Sequence, residues 1–120
     1  MSMSFSINID TDNTIPVVTV QGELDIYTCP QLRKTLTDII DKGTRKFILN
    51  LDKVNYIDST GLGTIAHSAR SIENESGNIF IICSKHQVKK IFEISGLEKK
   101  NIQLFDNEES IIQKLDSNHE

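Results

Sequence analysis

A serine stands at a predicted helix start within residues 56–63, Tyr-Ile-Asp-Ser-Thr-Gly-Leu-Gly. The apolar residues from Leu62 to Ile72 recur at helical spacing, so a helix is predicted there. Asp58 is of the type that caps a helix by accepting hydrogen bonds from its first free amides. Ser59 then falls at about the first helical position, and a helix N-terminus favours a phosphate on its hydroxyl. The segment therefore indicates a serine on which another protein acts.

The neighbours of Ser59 bear on how accessible its hydroxyl is. Gly61 and Gly63 are expected to put no bulk above it, so that another protein can approach closely. Thr60 is the competing hydroxyl, but its β-branched side chain is expected to pack its methyl group against the loop. Helix-start chemistry alone explains Ser59 equally well as a residue that simply favours this position.

Catalysis by Ser59 would need a base, and the sequence offers none nearby. His67 lies eight positions later, about 12 Å along a helix axis. His86 belongs to a different predicted helix start, and His119 lies in the polar tail. The Gly-x-Ser-x-Gly elbow, the Lys-bearing phosphate loop and metal-binding Cys or His spacings are all absent from the sequence. We therefore predict no enzyme, no metal and no cofactor of its own.

The elements that must position this segment are strands that alternate with helices after an initial hairpin. This order is typical of a mixed, largely parallel sheet with helices packed against it. The predicted strands cover residues 5–9, 15–20 (ended by Gly22), 47–51, 78–82 and 102–105. Besides Asp58, the predicted helix starts are the capping boxes Thr28/Gln31, Ser84/Gln87 and Asp106/Glu109. Gly43 and Gly96 are predicted to end helices in the left-handed conformation.

Three motifs in order resemble the anti-sigma-factor antagonists, the small bacterial proteins that define the STAS domain. Residues 58–63 resemble their phosphorylation motif, residues 22–25 (Gly-Glu-Leu-Asp) their second hallmark, and residues 92–97 (Phe-Glu-Ile-Ser-Gly-Leu) their third. The resemblance implies one STAS domain over residues 1–115, a mixed four- to five-stranded sheet with about four helices gathered on one side. Residues 116–120 are expected to be a frayed tail.

The resemblance also implies the site. Ser59, directly after the Asp, corresponds to the phosphoacceptor. Glu23 and Asp25 would lie beside it and help to form the partner-binding face, although Asp25 is equally explained as a polar strand-end residue. Asp58 either orients Ser59 or only holds the helix start. The further candidates for contact with a partner or kinase are Thr60, Gly61, Leu62 and Gly63.

The implied function is partner switching. The unphosphorylated protein would bind an anti-sigma factor that is also a serine kinase and so free the sigma factor, in a stress-response or sporulation pathway. The kinase would use its own ATP and Mg²⁺ on Ser59, and a metal-dependent serine phosphatase would reverse the modification. The alternative is a phosphorylatable STAS interaction module in a signalling complex without a sigma factor. A third class, an anion- or nucleotide-binding domain, has no selecting motif.

Because Thr64 and His67 are more polar than the family pattern, partner choice is expected to differ from the best-known members.

Composition bounds these readings. The chain has 120 residues, 38% of them hydrophobic and 25% charged, and a formal net charge of −4. These values fit one globular domain and do not suggest a nucleic-acid ligand. No apolar run is long enough to span a membrane, and residues 1–15 do not resemble a signal peptide, so we expect a cytoplasmic protein, monomeric when free. Cys29 and Cys83 are expected to be free thiols, Cys29 with some thiolate character near a helix start.

Overall fold

The computed structural model describes residues 4–12, 15–98 and 101–117. Five strands and four helices lie in these residues: β1 (Ser6–Asp10), β2 (Val17–Leu24), α1 (Cys29–Asp41), β3 (Lys46–Ile57), α2 (Ser59–Glu73), β4 (Asn78–Ile82), α3 (His86–Ser95), β5 (Ile102–Phe105) and α4 (Glu108–Ser117). The strands form one sheet in the order β1-β2-β3-β4-β5. Only β1 runs antiparallel, which confirms the predicted hairpin and mixed sheet.

The main core lies between the sheet and α1, α2 and α3. Each of these helices connects two neighbouring parallel strands in the same direction, and such crossovers are right-handed, so all three helices fall on one face. The core side chains alternate along the strands and recur along the helices. The strands contribute Val18, Val20, Phe47, Leu49, Leu51, Ile79 and Ile81, and the helices contribute Leu32, Leu36, Ile65, Ile72, Val88 and Phe92.

The fourth helix packs on the opposite face of the sheet, so the prediction that the helices gather on one side is wrong. Ile111 of α4 is buried there against Ile48, Phe80 and Ile82. The reason can be read in β4, whose residues 79–82 are all apolar and buried. A strand that is apolar on both faces must be covered on both.

Both strands that lead to the serine are longer than predicted. β2 passes through Gly22, which has φ +111°, and ends at Leu24. β3 continues through residues 52–57, where a connector was expected. The pairing of β2 with β3 shifts register twice, with one extra β3 residue each time, and such bulges increase strand twist. Since β4 pairs with β3 only as far as Asn50, the ends of β2 and β3 project together beyond the rest of the sheet.

The capping boxes predicted for α3 and α4 are not formed. The Ser84 amide and hydroxyl both bind the Asp52 carboxylate at 2.9 Å, and α3 begins later, at His86. Asn107, rather than Asp106, caps α4 by accepting from the third helical amide at 2.9 Å. Asp106 instead pairs with Lys89 at 2.9 Å. Ser84 thus binds a residue distant in sequence instead of capping α3. Asp106 is likewise engaged by Lys89, and the neighbouring Asn107 caps α4.

The predicted helix ends are confirmed, with positive φ at Gly43 (+105°) and Gly96 (+71°). Of the predicted tail, Asp116 and Ser117 continue α4, and residues 118–120 lie outside the described part. None of the helices that the structure describes has the length and apolar content needed to cross a membrane.

Candidate functional site

The two projecting strand ends bring two of the sequence motifs together. Glu23 of β2 lies opposite Tyr56 of β3, and Leu24 lies opposite Ile57. One residue further, the Asp58 amide donates a hydrogen bond to the Leu24 carbonyl at 3.1 Å. The segment that contains Glu23 therefore stands directly beside the start of α2, as the family resemblance implies.

Asp58 caps α2 as predicted. Its backbone is extended, and one carboxylate oxygen accepts from the Thr60 amide at 2.9 Å and the Gly61 amide at 3.2 Å. Ser59 is the first helical residue, and its side chain is exposed. Thr60 is exposed as well, against the expectation that its methyl group packs on the loop. Exposure alone therefore does not separate the two hydroxyls.

The two glycines of the motif have different environments. Gly61 is buried, and a Cβ atom built there would stand 2.7 Å from Ile57 Cγ1 and 3.1 Å from Leu24 Cβ. The prediction that Gly61 keeps space open above Ser59 is therefore wrong, because a side chain at this position would point into the core. Gly63 is exposed with open space around it, as expected. Leu62 is half-buried and packs against the main core.

Asp25 organises the turn between β2 and α1. One oxygen of its carboxylate accepts from the Tyr27 amide at 2.9 Å and the Thr28 amide at 3.1 Å. The Thr28 hydroxyl donates to the Glu23 carbonyl at 2.6 Å and accepts from the Asp25 amide at 3.0 Å. The capping box predicted at Thr28 is absent because this hydroxyl is already used and its backbone is helical, not extended. Glu23 itself is exposed.

Cys29 lies buried beneath this edge, at the first residue of α1. Burial raises the pKa of its thiol, and the negative charges of Asp58 and Asp25 add to that effect, whereas a hydrogen bond with Thr64 lowers it. The expected thiolate character is therefore wrong. Thr64 is buried and donates to the Thr60 carbonyl at 2.9 Å, which explains this polar residue inside the helix pair.

Three exposed apolar side chains lie on the segments that meet at the site, and the sequence reasoning did not single them out. Ile26 is 64% exposed and Tyr27 is 88% exposed, both on the β2–α1 turn, and Tyr56 is 49% exposed at the end of β3. A signal was available, because two apolar residues in a loop beside a candidate site belong to no helix or strand pattern. Exposed tyrosines and other large apolar groups mark contact surfaces.

The site exposes the Ser59 hydroxyl, and among the residues that the structure describes no group is placed to act as its base. The Asp58 oxygen that faces the helix start is occupied by two amides, and His67 is exposed two turns further along α2. Within residues 4–12, 15–98 and 101–117, no three His, Cys, Asp or Glu side chains converge to hold a metal ion. The site thus presents an exposed hydroxyl at the first residue of α2.

The comparisons with known proteins agree with this geometry. Residues 6–111 match the STAS domain family. A protein from Staphylococcus aureus described as an anti-sigma-B factor antagonist is 35% identical over 96 residues, which cover 80% of this chain and 89% of that protein. An anti-sigma factor antagonist from Mycobacterium paratuberculosis has the same fold, with a TM-score of 0.85, 19% identity and coverage of 97% and 99%. The phosphorylated form of the Bacillus cell-fate determinant SpoIIAA also has this fold, with a TM-score of 0.69, 23% identity and coverage of 92% and 99%.

The two motif glycines allow a matched test of packing. Gly61→Ala should lower the free energy of unfolding by about 1–3 kcal/mol, because the new methyl group overlaps Ile57 and Leu24. Gly63→Ala should raise it by about 0.5–1 kcal/mol, because alanine is the better helix former and its methyl group meets nothing. Urea unfolding of both variants measures the two effects. Equal effects of the two substitutions would contradict the burial of Gly61.

Both thiols should be unreactive in the folded protein. Burial, with the charge of Asp52 adding to it, raises the pKa of Cys83 to about 11, and the pKa of Cys29 is also raised. Only thiolate reacts, so at pH 8 about one Cys83 in a thousand is in the reactive form. A maleimide reagent should leave both residues unmodified in native buffer and label both in denaturant, as mass spectrometry can show. Rapid labelling of Cys29 in the native protein would contradict the structure.

Proposed function

This chain belongs to the STAS domain family, and we propose that it is an anti-sigma factor antagonist whose partner binding is switched by phosphorylation of Ser59. In this proposal the unphosphorylated protein binds an anti-sigma factor that is also a serine kinase, and the bound sigma factor is released. The observation that carries the proposal is the exposed Ser59 hydroxyl on the first residue of α2, at an edge where two family motifs meet. The Staphylococcus relative, which is described as an anti-sigma-B factor antagonist, supports the partner class.

The phosphoryl transfer would depend on the kinase for everything but the acceptor. The Ser59 oxygen bonds to the γ-phosphorus of ATP while the bond from that phosphorus to ADP breaks, and the hydroxyl proton passes to a base of the kinase. ATP and Mg²⁺ belong to that kinase. A metal-dependent serine phosphatase then hydrolyses the phosphoserine with water, which releases inorganic phosphate and restores the hydroxyl. A phosphorylated SpoIIAA of the same fold supports the idea that the fold tolerates the modified state.

The added charge accounts for the switch without unfolding. A phosphate carries about −1.5 to −2 charges at neutral pH. At the α2 N-terminus this charge lies at the positive end of the helix dipole, which tolerates it. The surrounding surface already carries Glu23, Asp25 and Asp58, so a docked partner meets repulsion, bulk and an added desolvation cost. Moving the partner from mostly bound to mostly free needs only about 3–5 kcal/mol of differential affinity.

The rest of the proposal follows from this role. The protein acts as a binding module, monomeric when free, with no catalytic activity and no cofactor of its own. It works in the cytoplasm, where the kinase has ATP and the sigma factor meets RNA polymerase. Neither the membrane nor nucleic acid is a direct partner. Stress response and sporulation are both pathways in which such an antagonist would serve.

The phosphosite can be tested directly. Incubation with the cognate kinase-type anti-sigma factor, ATP and Mg²⁺ should add one phosphate, and mass spectrometry should place it on Ser59. Ser59→Ala should remain unmodified, although it keeps the Thr60 hydroxyl. ATP and Mg²⁺ without the kinase should give no product. Phosphate on Thr60, or stoichiometric self-modification, would refute the assignment.

A second test separates charge from folding. Ser59→Asp should change the free energy of unfolding by less than about 1 kcal/mol, because a carboxylate at a helix N-terminus is mildly favourable. Binding to the anti-sigma factor, measured by calorimetry, should nevertheless weaken at least about tenfold, or 1.4 kcal/mol. Ser59→Asn is the neutral control of matched size and should bind nearly like wild type. A large loss of stability in Ser59→Asp would mean that the serine is structural.

A further inference from the structure

An open cleft lies next to the phosphoacceptor, between the N-terminal ends of α1 and α2. Its volume is about 340 Å³, and it is lined by Ile26, Cys29, Pro30, Arg33, Thr60 and Thr64. A water molecule occupies about 30 Å³ of liquid, so the cleft has room for a large side chain. Thr60 directly follows Ser59, so the cleft lies next to the first turn of α2 that carries the serine.

The walls and floor of the cleft favour an apolar group. Ile26 and Pro30 are apolar and exposed at its wall. On the floor, Cys29 is buried with a neutral thiol, and the Thr64 hydroxyl already donates to the Thr60 carbonyl. A polar group placed on this floor would therefore lose water without gaining a strong partner, whereas an apolar one gains contact area.

Arg33 adds one cation at the rim. The ion pairs found among the described residues join Lys34 to Asp38, Arg45 to Glu75 and Lys89 to Asp106, and none of them involves Arg33. The nearby carboxylates of Asp25 and Asp58 accept backbone amides instead. A guanidinium group presents a planar set of donors that matches a carboxylate in two parallel hydrogen bonds. The rim thus has an unused site for an acidic group.

The turn that forms one wall is held before any partner arrives. Asp25 and Thr28 fix its backbone with four hydrogen bonds between 2.6 and 3.1 Å. Docking there loses little backbone freedom, and such preorganisation favours affinity. This distinguishes the cleft from a surface that must be reshaped on contact.

We propose that this cleft receives an apolar side chain of the anti-sigma factor and that Arg33 pairs with a carboxylate next to that side chain. The proposal rests on the proposed function and adds the feature that selects the partner. The segment that docks is thus apolar with an adjacent acidic residue, while the carboxylates around Ser59 face basic groups of the same partner. The cleft and the phosphoacceptor are then two parts of one interface.

Two pairs of variants test the proposal with the cognate kinase-type anti-sigma factor. Arg33→Glu and Ile26→Ser should each raise the Kd of the unphosphorylated protein about tenfold or more in calorimetry. Lys34→Glu makes the same charge change one residue away, outside the cleft, and should alter the Kd by less than about threefold. Ile94→Ser removes an apolar side chain that is 76% exposed at the far end of α3, and it should have no effect. Thermal unfolding of all four checks that each is folded.

Rescue gives the sharper result. Replacing the partner's matching Asp or Glu by Lys should restore binding to Arg33→Glu and weaken binding to the wild type. If wild type binds and is phosphorylated but Arg33→Glu and Ile26→Ser behave like their controls, the cleft proposal is wrong and the proposed function stands. Equal losses from Arg33→Glu and Lys34→Glu would also overturn it, because they indicate general repulsion. If the wild type neither binds nor is phosphorylated, the proposed function fails and the cleft proposal falls with it.

Discussion

One backbone hydrogen bond, from the Asp58 amide to the Leu24 carbonyl, determines where the rest of the site can be. It joins the ends of β2 and β3 just past their last paired residues. With that amide fixed, the extended backbone at Asp58 aims its carboxylate at the next two free amides and starts α2 at Ser59. The serine is therefore presented by the sheet as much as by its own helix. Loss of this hydrogen bond would separate the Asp58 cap from the turn that contains Asp25.

The packing of Gly61 is a second constraint on the place where the ends of β2 and β3 meet the start of α2. Its missing side chain lets α2 approach Leu24 and Ile57, the two residues that end the paired strands. The helix axis is thus set by close contact below the serine, and the open surface above it comes from Gly63 and from the exposed first turn. Two glycines that look alike in the sequence serve opposite sides of the helix. Rigid placement of the Ser59 hydroxyl suits the proposed role of an acceptor that must fit another protein's active site.

The sequence was sufficient for the parts that depend on local order. Apolar periodicity predicted the helix after Ser59, and the cap at Asp58 formed because that backbone is extended (φ −111°, ψ −172°). Thr28 has the same capping chemistry on paper, but its backbone is helical (φ −98°, ψ −24°), and the Glu23 carbonyl takes its hydroxyl. Whether a side chain caps a helix thus depends on which other groups in the fold compete for it, and a local sequence pattern does not show these groups. The same holds for Cys29, since a helix start suggested a thiolate and burial produced the reverse.

The strand lengths were missed for a different reason. Residues 52–57 mix polar and apolar types, and two bulges in β3 break the alternation by which a half-buried strand is recognised. The only sequence signal for the position of α4 was the uninterrupted apolar run of β4. Such a run indicates a buried strand but does not say which helix covers its second face. The exposed Ile26 and Tyr27 fell outside every periodic segment, and it took the fold to place them beside the serine.

The turn that bears Ile26 and Tyr27 has an evolutionary consequence. Its shape is held by the side chains of Asp25 and Thr28, while the two apolar side chains contribute nothing to those hydrogen bonds and are largely free of the core. Both positions can therefore change without loss of the fold, while each change alters the surface that a partner meets. Under the proposed function, proteins that differ at this turn would share the acceptor serine and differ in partner, so that parallel signalling pathways stay separate.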